Sequence, residues 1–238
     1  FTNDASSTGI GSIDSTGSVS TDAGFSIVTF TGNSGSIAHG LAQKPAMVII
    51  KPRNVSGSWI VTHKGLGAEM QDYYQFLDTT AAKATSNDIW GGEPTSTTFS
   101  VSSSLIDSAN YVAYCFAEKQ GYSKFGKYTS INSHDSTFVY LGFKPSMIIF
   151  KNTSYSGGSD WHILDRTRYT FNGSSEAVLE PNTSDAENYS AFGEVDFLSN
   201  GFKIRNNNGV SSGGYDHIFM AFSENPFVTS TGVPATAK

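Results

Sequence analysis

Apolar residues along the chain come in short runs, each bounded by Gly, Asn, Ser or Pro. Runs of about four to eight residues between turn formers are a strand signature and are too short for ordinary helices. They place strands at Ser26–Phe30, Met47–Lys51, Trp59–Thr62, Phe99–Val101 and Tyr111–Ala117. A second set falls at Lys124–Thr129, Phe138–Tyr140, Met147–Lys151, Trp161–Leu164, Gly201–Arg205 and Asp216–Ser223. The unbroken MVII and MIIF stretches predict central strands covered on both faces. Pro45 and Pro145 precede them, where a missing N–H disturbs the ladder least.

The two sets repeat one another in chain order. KPAMVIIK at Lys44–Lys51 returns as KPSMIIFK at Lys144–Lys151, and GFSIVTFTG from Gly24 is echoed by GYSKFGKYT from Gly121. Trp59 in SWIVTH matches Trp161 in DWHILD, and YVAYCFAE at Tyr111–Glu118 matches HIFMAFSE at His217–Glu224. Ordered matches with slowly growing offsets point to duplication with loops of slightly different length. The expected fold is all-β: two tandem, duplicated antiparallel β-sandwich units of jelly-roll-like character, spanning residues 24–120 and 121–228. Residues 1–23, rich in Ser, Thr and Gly, read as an extended connector, and residues 229–238 as a polar tail. Each copy carries a long insertion, residues 63–98 and 165–200, with Ala81, Ala82 and Ala84 as a candidate helical turn.

Composition changes the picture in one respect. The chain has 238 residues with 35 Ser, 22 Thr and 24 Gly, while charged residues are only 15%, so uncharged polar groups do most of the solubilising. Ser and Thr compete with helix hydrogen bonding, which excludes a helical bundle. The net charge of −6 with scattered Lys and Arg excludes a phosphate-backbone partner, so no nucleic acid is expected. No apolar run is long enough for a membrane span, residues 1–23 lack the pattern of a signal peptide, and Cys115 has no partner cysteine.

Strong catalytic and metal motifs are missing: there is no nucleophile elbow, phosphate loop, HExxH or CxxC. His63 falls opposite Asp165 in the repeat, which suits polar capping of a strand end. Glu118 with Glu224, and Asp78 with Glu180, are duplicated acids in separate units and read as strand-end caps or partners of Lys51 and Lys151. Asn206–Asn208 reads as a hairpin turn. No cofactor or metal is expected. The remaining resource is aromatic: Trp90, beside Gly91 and Gly92, together with Tyr73, Tyr74, Tyr169 and Phe171, are the candidate interface or ligand contacts.

GFSIVTFTG, the HGL turn followed by KPAMVIIK, YVAYCFAE running into GYSKFGKY, FLSNGFKIR and the closing FMAFSENPF together carry a resemblance. Over roughly residues 24–227 the chain resembles a repeated domain of unknown function in structural proteins of marine bacteriophages, of cyanophage and pelagiphage type, in tail fibres and at the virion surface. That resemblance implies a virion location and no catalytic residues. With the low charge, the plentiful Ser, Thr and aromatic residues and the two long insertions, the expectation is a non-enzymatic appendage subunit that works as a homo-oligomer with other virion proteins and takes part in host attachment, with a host-surface glycan as a further partner and no membrane insertion. The alternative is a carbohydrate-binding module of a secreted protein.

Overall fold

The computed structural model describes residues 1–32, 34–85, 88–105, 108–168, 172, 176–190, 195–205 and 214–223. They form an all-β protein of several antiparallel sheets. By internal contacts the chain divides into unit 1, Phe1–Leu77 with Lys83–Glu118, and unit 2, Lys119–Lys238 with the short segment Asp78–Ala82. No helix among the described residues is long and apolar enough to cross a membrane.

Unit 1 contains β1 (Thr2–Asn3), the one-turn helix α1 (Ala5–Thr8), β2 (Ser15–Ser20), β3 (Phe25–Thr31), β4 (Gly35–Ala38), β5 (Met47–Pro52) and β6 (Ile60–His63). After a 3-10 turn at Met70–Asp72 follow β7 (Tyr73–Phe76), β8 (Ala84–Thr85), β9 (Trp90–Gly92), β10 (Thr98–Val101) and β11 (Asn110–Phe116). One sheet runs β1-β2-β3-β11-β5-β6-β7-β8 and a second runs β4-β10-β9. Alternation along β3 explains its placement. Ser26, Val28 and Phe30 are buried, whereas Ile27, between the first two, is 38% exposed. Inward residues of both sheets share one core: Val28, Phe30, Val48, Ile50 and Tyr111 from the first, Ile37, Trp90, Phe99 and Val101 from the second. Phe30 stacks on Tyr111 at 5.3 Å and meets Phe99 edge-on at 5.8 Å. Each such fully buried side chain contributes about 1.5–3 kcal/mol.

Unit 2 contains β12 (Ser123–Thr129), β13 (Phe138–Tyr140), β14 (Pro145–Asn152), β15 (Trp161–Asp165), β16 (Glu176–Val178), β17 (Asn188–Ser190), β18 (Val195–Leu198), β19 (Gly201–Ile204) and β20 (Asp216–Ser223). Its sheets run β12-β20-β14-β15, β13-β19-β18 and β16-β17. The first two repeat the orders β3-β11-β5-β6 and β4-β10-β9 strand for strand. Register agrees as well. Phe99 pairs Ile37 as Phe202 pairs Val139, and Met47 pairs His63 as Met147 pairs Asp165. The turn after β4 and the turn after β13 both need positive φ, at Gly40 (74°) and Gly142 (85°), where a side chain would be strained.

β5 and β14 are central strands, as the apolar runs predict: each is flanked on both sides in its sheet. Register nonetheless corrects the literal motif match. Tyr114 opposes Ile27 while Met220 opposes Phe125, so GFSIVTFTG and GYSKFGKYT superpose one residue away from their glycines. The candidate helical turn at Ala81, Ala82 and Ala84 is not helical. Ala84 belongs to β8, because Tyr73 and Tyr74 of β7 offer it a ladder. Residues 1–23 are no connector either. β2 zips along β3 from Ser15↔Phe30 to Ser20↔Phe25, which satisfies backbone groups that the β3 edge would otherwise expose. The expected tail at residues 229–238 lies outside the described residues.

Candidate functional site

The N-terminal segment folds through polar side chains rather than an apolar stripe. Asp4 caps α1, its Oδ1 accepting from the Ser7 N–H at 3.1 Å, and Gly9 ends the turn at φ 68°. Asp14 Oδ1 accepts from the Ala5 N–H (2.8 Å), and Asn3 Nδ2 donates to the Ile10 carbonyl (2.9 Å). Ser12 and Ile13 donate their N–H groups to the Ser36 carbonyl, while Ile13 packs on the unit 1 core. The segment is thus anchored at both ends and leaves a space between itself and the sheet.

That space is a cleft of about 690 Å³ within unit 1. Thr2, Asn3, Asp4 and Ser12–Thr16 form one wall; the ends of β3 and β11, Thr29–Thr31 and Asn110–Tyr111, form the other, with Arg53 after β5. Phe30 and Tyr111 line it while almost wholly buried. Asn110 is held in place: its Oδ1 accepts from Thr31 Oγ1 at 2.7 Å and its N–H donates to Asn54 Oδ1 at 2.8 Å, which leaves the amide Nδ2 as a donor. Arg53 is exposed, and its guanidinium forms no ion pair among the described residues. The Asp4 carboxyl is held below the usual carboxylate range by the Ser6 hydroxyl and the Ser7 N–H. A general acid needs the opposite shift.

None of the described aromatic candidates, Trp90, Tyr73 and Tyr74, lines this cleft. Trp90 is 4% exposed and belongs to the unit 1 core, so its assignment as a contact residue is corrected: Val101↔Trp90 pairing turns the indole inward. Its counterpart by register is Val195, opposite Ile204, also buried; Trp and Val share no sequence signature. Tyr74 packs on the same core and meets Phe76 edge-on at 5.1 Å. Tyr73 is half-buried under the Lys83 ammonium, 4.4 Å from its ring centroid. Tyr169 and Phe171 lie outside the described residues, as do Glu224 and Asn206–Asn208. His63 and Asp165 do cap their strand ends: His63 Nδ1 accepts from the Gly65 N–H, and Asp165 Oδ1 from the Thr167 and Arg168 N–H groups, all at 2.9 Å. Glu118 pairs with Lys64 at 2.6 Å rather than with Lys51.

Unit 2 holds a buried cluster of ionisable side chains. Lys151 is fully buried and donates to the carbonyls of Ser159 and, at 3.4 Å, Thr79. Burial lowers its pKa to about 8, against the opposing pull of Asp160. His162 and His217 are each pushed down to about 4 by burial, so both are neutral at pH 7. The 3.9 Å approach of Glu180 Oε1 to His162 Nδ1 is therefore a polar contact and no ion pair. His217 lies flat on Tyr128, ring centroids 4.8 Å apart. No group of three or more His, Cys, Asp or Glu among the described residues is arranged to hold a metal ion.

Comparison with known proteins gives one match. Residues 2–226 fit the model of a family described as Domain of unknown function (DUF7483). No curated protein and no solved structure matches the chain.

Proposed function

The chain belongs to the DUF7483 family, and from that premise we propose that it is a non-enzymatic, adhesive structural subunit of a bacteriophage appendage. In this reading two duplicated β-sandwiches, displayed at the virion surface, assemble with further copies and other virion proteins and contribute to host attachment. The shared strand order and register of the two units support duplication. The observation that carries the reading is where the ionisable groups are used. Arg168 joins Asp165 and Glu187, Arg205 joins Asp196 and Asp135, Lys64 joins Glu118, and Asp4 caps α1, so charges tie strand ends and turns together. A framework of this kind suits a rigid, exposed particle component.

The alternative, a carbohydrate-binding module of a secreted protein, is favoured by one feature, the hydroxyl-lined cleft of unit 1. Antibody labelling of purified particles and sedimentation of the isolated chain separate the two. Label on an appendage together with a self-associating chain supports the proposal. A strict monomer at high concentration with unlabelled particles favours the module. Turnover of a host polysaccharide that Glu118→Gln or Asp78→Asn abolishes would overturn both.

A further inference from the structure

The cleft of unit 1 has the chemistry of a saccharide site, and we infer that it binds a neutral oligosaccharide through Arg53 and Asn110. The inference deepens the adhesive reading proposed above and rests on it for its biological setting. Three observations converge. First, the volume, about 690 Å³, lies within the range of ligand sites, roughly 300–1,000 Å³. Secondly, its walls are polar without being strongly charged. Thr2, Ser12, Thr16, Thr29 and Thr31 line the cleft with hydroxyls, of which Thr16 and Thr29 bond each other and Thr31 bonds Asn110, and Asp4 and Asp14 set two carboxylates against a single guanidinium. A ligand with its own negative charge would meet net repulsion there; one with many neutral hydroxyls would find both donors and acceptors. Thirdly, the two strongest donors stand ready. Among the described residues Arg53 has no carboxylate partner to release, and Asn110 is oriented by Thr31 and Asn54 before any ligand arrives.

The roles follow from geometry of the groups. The guanidinium is planar and offers parallel N–H donors that match two adjacent sugar oxygens. Asn110 Nδ2 donates to a third oxygen. The free oxygen of Asp14, whose other oxygen is taken by the Ala5 N–H, accepts from a sugar hydroxyl. Asn110, already held, costs little ordering entropy on binding, whereas the exposed Arg53 side chain must be ordered by the ligand. Unit 2 is the internal control: among its described residues no strand pairs with the outer edge of β12, so the wall that β2 and its flanks build in unit 1 has no counterpart.

The test is calorimetry and array binding with the full chain, using neutral hexose and N-acetylhexosamine oligomers of four to six sugars, and sialylated and sulfated glycans as charged probes. Binding of at least one neutral oligomer is expected. Arg53→Ala and Asn110→Ala should each weaken it about tenfold or more, and Lys127→Ala, in unit 2, should leave it unchanged. Circular dichroism of each variant checks folding, and Arg53→Lys, which keeps charge but loses the planar fork, should also bind weakly. Preference for the charged glycans, binding that survives Arg53→Ala, or no binding to any neutral oligomer would each overturn the assignment. The outcomes separate from those above: labelled particles with no glycan binding would remove the site and leave the virion reading, whereas glycan binding with unlabelled particles would do the reverse.

Discussion

Lys51 and Lys151 close the same motif on the same strand of the same sheet order, yet one is half-exposed and the other wholly buried. Lys51 lies 5.9 Å from the Trp59 ring centroid and donates to the Gly57 carbonyl within its own turn. Lys151 donates to Ser159 and to Thr79, the latter in the short segment Asp78–Ala82 that clusters with unit 2. The ends of the sheets differ in the opposite sense. Unit 1 gains β2 along β3 and with it an open cleft, whereas β12 carries Lys124 and Lys127, charges that discourage further pairing. A shared framework thus tolerates burial at one place and recruitment at another. What differs between the units lies largely in added segments, with Trp90 against Val195 as a difference inside corresponding strands.

The largest effect expected from this contrast is at Trp90. Trp90→Ala should cost about 3–5 kcal/mol in denaturant unfolding, and Val195→Ala at the corresponding place about 2 kcal/mol. A Trp90 variant of unchanged stability would mean that the indole is not in the core. Next comes Lys151→Ala, which leaves a cavity and two part-buried carbonyls without their donor and should cost about 2–4 kcal/mol. Lys51→Ala should cost no more than about 1 kcal/mol. Equal costs at the two lysines would break the comparison.

Smaller and sharper is the pH dependence. His162 and His217 fall from 6.5 to about 4 on folding, so between those values the unfolded chain holds more protons than the folded one. Their stabilising contribution is therefore complete above about pH 6.5 and lost as pH falls towards 4. Lys151, lowered to about 8, has the same sign in its own window, raising stability as pH climbs from about 8 to 10.5. Denaturation midpoints measured from pH 4 to 7 should slope steeply for the wild type and less for His162→Gln. A flat profile would mean that these imidazoles are open to water.

Strands with alternating or continuous apolar residues were legible in the sequence because burial selects those residues directly. β13 and β20 occur at the residues that the pattern marks, and β3, β5, β11, β14, β15 and β19 within two residues of it. β2 was not legible. STGSVS has one apolar residue and pairs through backbone groups and hydroxyls, such as Thr16 Oγ1 to Thr29 Oγ1 at 2.8 Å, so hydropathy carries no trace of it. A signal for the turn before it did exist: Asp4 three residues ahead of Ser7, and Gly9 beyond, are the cap residues of a short helix. The cleft was hidden for the same reason. Its residues come from five separate stretches of chain, and only the placing of β2 brings Asp14, Thr29, Arg53 and Asn110 around one space. Trp90 was misread because composition marks an aromatic beside glycines as a contact residue, whereas its strand register points it inward.

Hydrogen exchange on the full chain, free and with a saturating neutral oligosaccharide, tests most directly that the N-terminal segment is an integral strand that makes unit 1 the binding unit. In the free chain, amides of Ser15–Ser20 engaged with β3 should exchange far more slowly than a connector, and ligand should add protection at Ser12–Thr16, Thr29–Thr31 and Asn110–Tyr111 with none across β12–β20. Immediate exchange of Ser15–Ser20, or ligand protection confined to unit 2, would contradict the account.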